Sequence, residues 1–166
     1  MKILVLSSGG VDSTTCLALA VKEAGPENVF SLSIYYGQKH DKELEAARAV
    51  AAYYGVAHQE LDLAVIFADS KCSLLKQSSE EIPKESYARQ LSGTEGTGNQ
   101  LRLEAPFVSV SKAEVVRTGL ALKVPYELTW SCYEGGKTPC CRCGTCIDRI
   151  EAFRANGVED PLLKEV

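Results

Sequence analysis

The sequence predicts an α/β protein built on a doubly wound, mostly parallel sheet, followed by a cysteine-rich C-terminal segment. Three observations predict it. Short β-rich apolar runs alternate with helix-compatible stretches from Lys2 to Leu63. The connections between them are short, which implies right-handed crossovers and a parallel sheet. Five cysteines then crowd from Cys132 to Cys146, where the alternating pattern has ended.

The elements follow in order. Lys2 to Ser7 is an apolar run that ends in Ser8-Gly9-Gly10, the signature of a buried parallel strand feeding a tight turn. Ser13 to Ala24 is helix-compatible and is stopped by Gly25-Pro26. Val29 to Tyr35 reads as a second strand, broken at Gly37. Lys39 to Tyr54 carries Leu44, Ala47 and Val50 at helical spacing, with Gly55 as its cap, and His58 to Leu63 makes a third strand. From Asp69 to Gly98 the pattern fails, and a polar, Gly/Thr-containing loop is expected there. Leu101 to Pro106 is strand-like. Ser111 and Glu114 then form a capping box that opens a helix ending near Leu122 to Val124, just before Pro125.

Composition narrows the function classes. A chain of 166 residues with 45% hydrophobic content makes one domain's worth of core, enough to bury about 70% of the surface its unfolded form exposes. Charged residues at 24% and a net charge of −4 suggest neither disorder nor a polyanion-coating surface. The apolar run near the start, Ile3 to Leu6, is too short for a signal-peptide core or a membrane span. A soluble, cytoplasmic protein with no membrane partner is expected. Seven cysteines, an odd number with most of them clustered, fit a metal site in a reducing compartment better than a disulfide framework.

Ser8-Gly9-Gly10-Val11-Asp12-Ser13-Thr14 lies between the first strand and the first helix. The glycines let successive backbone N–H groups converge on one anion, and the helix N-terminus adds its dipole. Ser8, Ser13 and Thr14 add hydroxyl donors. No lysine follows the Gly pair, which excludes a Walker A loop, and the glycine spacing excludes the dinucleotide fingerprint. The heptapeptide resembles the PP-loop, S-G-G-x-D-S, of ATP pyrophosphatases, enzymes that cleave ATP between its α- and β-phosphates. On that resemblance Ser7 to Leu17 (Ser7, Ser8, Gly9, Gly10, Val11, Asp12, Ser13, Thr14, Thr15, Cys16 and Leu17) are the expected ATP-binding residues. Asp12 would hold Mg²⁺ or order the loop.

Two further elements fit the same edge of the sheet. Tyr35-Tyr36-Gly37-Gln38-Lys39-His40 ends the second strand, where ligands bind in open α/β sheets, so Gln38, Lys39 and His40 are candidate substrate contacts. Lys112 opens the capped helix, where the dipole disfavours a cation and a bound anion would offset the cost. It is a candidate to neutralise charge on the phosphates, and with Asp12 it makes the expected catalytic pair. His58 lies mid-strand and reads as structural.

Cys132-x7-Cys140-x2-Cys143-x2-Cys146 supplies four thiolates with spacing suited to tetrahedral Zn²⁺. Four protein ligands leave no open position, so such a metal is structural. An iron–sulfur cluster is the rival, but Asp148 and Arg149 stand where its next cysteine would fall. Cys16 and Cys72 read as plain thiols. Thr129 to Tyr133 together with Pro139 to Cys146 resembles the zinc region of the QueC family, the 7-cyano-7-deazaguanine synthases, as does the Y-x-Q-x-H turn at Tyr36. That family usually has glycine where this sequence has Cys141.

The resemblance runs essentially end to end and implies a division into a nucleotide-binding α/β domain over residues 1–128 and a zinc-binding segment over 129–166. It implies ATP-dependent conversion of 7-carboxy-7-deazaguanine and ammonia to 7-cyano-7-deazaguanine (preQ0), through adenylated intermediates, in queuosine biosynthesis. No general base can be assigned, no nucleic acid is required, and a homodimer is expected from the family. Two alternatives stay open: another PP-loop ligase, acting on tRNA or a small carboxylate, and an inactive zinc-containing binding module. Gly98 runs straight into Asn99, where the family carries at least one further βα unit. A true loss would remove a central strand; a stretch missing from the written sequence is the expected reading.

Overall fold

A computed structural model describes residues 1–39, 41–66 and 102–163. The chain enters through strand β1 (Ile3–Leu6), turns at the two glycines, and forms helix α1 (Val11–Ala24). A single turn of 3-10 helix at Pro26–Asn28 leads into β2 (Val29–Tyr35), then α2 (Lys42–Tyr54) and β3 (Ala57–Asp62). Helix α3 (Lys112–Ala121), a 3-10 turn at Tyr126–Leu128, α4 (Gly144–Ala155) and a final 3-10 turn at Pro161–Leu163 complete the described elements.

The three strands form a parallel sheet in the order β1-β2-β3, with Ile3 opposite Val29 and Phe30 opposite Ala57. Parallel strands taken in sequence order, each crossover right-handed, put both connecting helices on one face. The core agrees: Val5 and Val29 from the sheet pack with Leu17 and Ala20 of α1 and Val50 of α2. The opposite face presents Leu4, Leu6, Phe30 and Leu61, all exposed among the described residues. Such an aliphatic face is what a doubly wound sheet turns toward a second helical layer.

A second core joins α1 to the C-terminal helices through Val11, Val115, Val116, Tyr126, Ala152 and Phe153. Tyr126 is its pivot, meeting Phe153 edge-on at 5.1 Å and sharing a 2.8 Å hydrogen bond with the Thr15 hydroxyl. A Cβ at Gly119 would lie 1.8 Å from the Tyr126 hydroxyl oxygen, so only glycine lets α3 approach this closely. Arg149, in α4, is almost fully buried. It donates to both carboxylate oxygens of Asp160 at 2.6 and 2.8 Å, and to the Tyr126 carbonyl and Thr129 hydroxyl.

Element boundaries shift by one to three residues from expectation. The first helix starts at Val11 because Gly10 takes an extended backbone as its N-cap, and the second starts after Asp41. The capping box is present, with the Ser111 N–H donating to Glu114 Oε2 at 2.8 Å and the Glu114 N–H returning to the Ser111 hydroxyl. One expectation is corrected. Residues 102–106 are not a strand: they are irregular and exposed, and among the described residues no neighbouring strand offers a ladder for their backbone groups. Leu101 itself, His40, Cys72 and the expected polar loop at 69–98 lie outside the described residues. No described helix is long and apolar enough to cross a membrane.

Candidate functional site

The Gly9-Gly10 turn is clamped between two elements. Gly9 adopts φ +76°, and a Cβ there would lie 2.2 Å from the Glu43 carbonyl oxygen and 2.7 Å from the Ala47 nitrogen of α2. Both the left-handed backbone and the close packing therefore require glycine. On the opposite side the Trp130 N–H donates to the Gly9 carbonyl at 2.9 Å. Ser13 braces the turn from within, accepting from the Ser8 N–H at 3.1 Å and contacting the Ser8 hydroxyl at 3.2 Å. Helix α1 has no side-chain cap, so its first-turn N–H groups are left for another acceptor. The Ser7 and Thr14 hydroxyls are buried without a partner among the described residues.

Asp12, in the first turn of α1, and Lys112, in the first turn of α3, form an ion pair across this opening. The N-termini of two helices thus converge beside the glycine turn. Each dipole favours negative charge there, and Lys112 adds a cation paired with the Asp12 carboxylate. The structure therefore brings together Ser8, Gly9, Gly10, Val11, Asp12, Ser13 and Lys112. Thr15, Cys16 and Leu17 lie about a turn deeper in α1. Leu17 is fully buried in the core, and the Thr15 hydroxyl is engaged with Tyr126 and the Val11 carbonyl. The Cys16 thiol is pushed up to about 11 by burial and by Asp12.

A cleft opens beside the turn at the carboxyl edge of β1 and β2. Leu6, Leu32 and Ile34 give it an apolar wall, while Ser7, Ser8, Tyr36, Gln38 and Glu43 supply polar groups. Gln38 is buried and its side-chain oxygen accepts from the Tyr36 N–H at 3.0 Å. Lys39 follows it at the surface of the turn. Glu43 was not expected from the sequence, because an acidic residue in a helix's first turn reads as a complement to the dipole. Burial raises its carboxyl to about 7, so it changes charge near neutrality. His58 is structural: its Nδ1 lies 2.9 Å from the Ser31 hydroxyl between β2 and β3.

The second constellation is the cysteine cluster. The sulfurs of Cys132, Cys140, Cys143 and Cys146 all lie within 4.8 Å of one another. Tetrahedral zinc at 2.3 Å from each sulfur requires about 3.8 Å between sulfurs, a contraction of at most about 1 Å. The local backbone already supports thiolates: the Cys140 N–H donates to the Cys132 sulfur and the Cys143 N–H to the Cys140 sulfur, both at 3.3 Å. Burial pushes the Cys143 thiol up, but the Thr145 hydroxyl 3.4 Å away and hydrogen bonds from backbone N–H groups outweigh it and bring it to about 7. Burial raises Cys132 and Cys146. The donor set therefore fits a tetrahedral, thiophilic metal. Cys141 stays outside the cluster, exposed and at φ +55°, with its N–H directed to the Cys146 sulfur. That left-handed backbone is why glycine suits this position.

The family model described as "Queuosine biosynthesis protein QueC" matches residues 2–95 and 87–157. The chain belongs to the QueC family. A 7-cyano-7-deazaguanine synthase of Archaeoglobus fulgidus is 35% identical over 99% of this chain and 91% of that protein. One from Caldicellulosiruptor saccharolyticus is 34% identical over 100% of this chain and 96% of that protein. Both alignments run over 220 positions against 166 residues here, so these QueC relatives carry further positions with no counterpart in this chain. The NMN synthetase of Francisella tularensis shares the fold, with a TM-score of 0.54, 14% identity, and coverage of 95% of this chain and 78% of that one.

Proposed function

We propose that this chain is a nitrile-forming ligase that converts 7-carboxy-7-deazaguanine, ammonia and ATP into 7-cyano-7-deazaguanine. The observation that supports it most is the convergence of the uncapped α1 N-terminus, the Gly9-Gly10 turn, Asp12 and Lys112 on one opening at the carboxyl edge of the sheet. A triphosphate placed there meets backbone N–H donors and a lysine, and Asp12 is positioned to take a share of Mg²⁺.

A carboxylate is a poor electrophile, and adenylation corrects that. Its oxygen attacks the α-phosphorus of ATP and pyrophosphate leaves. Ammonia then attacks the acyl carbon, and AMP departs to leave an amide. A second adenylation, now on the amide oxygen, lets that oxygen leave with AMP and yields the nitrile. In this scheme the glycine turn and Lys112 stabilise charge on the departing pyrophosphate, and the cleft next to them positions the reacting carbon. Gln38, Lys39 and His40 are the proposed substrate contacts, with Glu43 added by the cleft geometry. Cys132, Cys140, Cys143 and Cys146 would hold Zn²⁺ with all four positions filled, so the metal supplies folding energy rather than chemistry.

Mass spectrometry of a reaction with isotopically labelled ammonium tests the reading. A nitrile carrying the label supports it. ATP consumption without nitrile would move the protein to another PP-loop ligase reaction. No ATP turnover, with zinc bound and the chain folded, would refute the enzymatic reading and favour a zinc-containing binding module.

A further inference from the structure

We propose that Trp130 couples metal binding at the four cysteines to the shape of the phosphate loop, so that metal and nucleotide each tighten the binding of the other. The proposal rests on the nucleotide reading of the loop given above. Trp130 is joined to both constellations. Its main-chain N–H donates to the Gly9 carbonyl at 2.9 Å, and its indole Nε1–H donates to the Cys132 carbonyl at 2.7 Å. The residue is 8% exposed and clusters with Ala46 of α2 and with Cys132, Cys143 and Cys146.

The direction of the coupling follows from peptide geometry. In a planar trans peptide the carbonyl of Gly9 and the N–H of Gly10 point to opposite sides. Anchoring the Gly9 carbonyl on Trp130 therefore turns the Gly10 N–H away from the cysteine segment. Gly10 is the N-cap of α1, and its N–H begins the donor row that an anion would use. Should Trp130 shift, this peptide is free to rotate and one donor leaves the row.

The segment that carries Trp130 is held on both sides. Arg149 donates to the hydroxyls of Thr129 at 2.7 Å and Ser131 at 3.3 Å, and the Thr145 hydroxyl donates to the Ser131 carbonyl at 2.5 Å. Thr145 lies between two of the cluster cysteines, and Cys132 is two residues beyond Trp130. Drawing the four sulfurs together on a metal thus fixes this segment from the Cys132 side and the Thr145 side at once. The link is a positioning one: Trp130 acts on the loop through hydrogen bonds and carries no chemistry. Because coupling free energy is reciprocal, a nucleotide that orders the loop must tighten metal binding by the same factor by which the metal tightens nucleotide binding.

The test measures zinc affinity of the zinc-loaded full chain by chelator competition, with and without saturating Mg²⁺ and the non-cleavable α,β-methylene analogue of ATP. The expected result is about 10-fold tighter zinc binding with the analogue, within the usual range for coupled sites. Trp130→Phe keeps the main-chain donor and most of the ring but removes the indole bond to Cys132. It should bind both ligands yet reduce the effect to less than about 2-fold. Independently of any variant, Trp130 is the chain's one tryptophan, so its emission in the zinc-loaded wild type should shift when the analogue binds. Equilibrium dialysis separates the two ways to fail. Analogue bound with no change in zinc affinity and silent emission overturns the coupling alone. An unbound analogue overturns the nucleotide reading and the coupling with it.

Discussion

Replacing Lys112 by alanine separates a catalytic role from a structural one, because the structure assigns very different magnitudes to the two. Lys112 and Asp12 pair at the surface, with their side chains 34% and 52% exposed. An exposed pair of this kind contributes about 0–1 kcal/mol to stability. Lys112 also sits in the first turn of α3, where the dipole opposes a cation by about 0.3–1 kcal/mol. The two terms nearly cancel, so Lys112→Ala should leave the urea midpoint almost unchanged. Charge stabilisation on a departing pyrophosphate is a different matter: losing one preorganised donor typically costs about 10²–10³ in kcat. Pyrophosphate release under saturating substrates, measured beside urea denaturation of the same sample, should show a loss of that size at constant stability. Lys112→Arg should recover part of the rate, since it keeps the charge but not its compact position. A variant with unchanged kcat, or one whose activity falls only in step with its stability, would refute the assignment.

Three other expectations follow from the geometry. Asp160→Asn leaves the Arg149 charge buried and unpaired, and should cost about 3–5 kcal/mol in urea unfolding, with Arg149→Met/Asp160→Leu recovering most of it; a loss below about 1 kcal/mol would contradict the burial argument. Glu43 ionises near 4.5 when unfolded and is raised by burial to about 7 in the fold. Folding therefore loses stability as pH rises between those values, and the full penalty stands above the higher one. Glu43→Gln should add about 3 kcal/mol near pH 8 and almost nothing below pH 4; equal effects at both would contradict it. Cys143→Ser should lose bound zinc and stability together, read by metal analysis and thermal melting, because a structural site contributes folding energy. Full zinc content in that variant would remove Cys143 from the ligand set.

Much of this was legible in the sequence because short-range chemistry decided it. The heptapeptide from Ser8 to Thr14, the Ser111/Glu114 box and the spacing of Cys132, Cys140, Cys143 and Cys146 each fix local geometry with few alternatives. Parallel order followed from strand–helix alternation. The expected strand failed over residues 102–106 because alternation of apolar and charged residues does not make a strand without a neighbour to pair with, and none is present among the described residues. Asp12 and Lys112 could each be named, but their contact spans a hundred positions in the chain and is set by how α3 packs on α1. Arg149 is the buried tie between α4, Asp160 and the Tyr126 turn, a role that its residue type and spacing do not mark. Glu43 and Trp130 act through burial and a main-chain N–H respectively, and neither leaves a mark in residue type or spacing.

The measurement that bears most directly on the central claim is the identity of the products formed from ATP when 7-carboxy-7-deazaguanine and ammonium are present. Cleavage between the α- and β-phosphates predicts AMP and pyrophosphate in equal amounts, abolished in Asp12→Ala with zinc content and fold unchanged. ADP and inorganic phosphate instead, or full turnover in Asp12→Ala, would contradict the account of the Gly9-Gly10 loop as a pyrophosphate cradle.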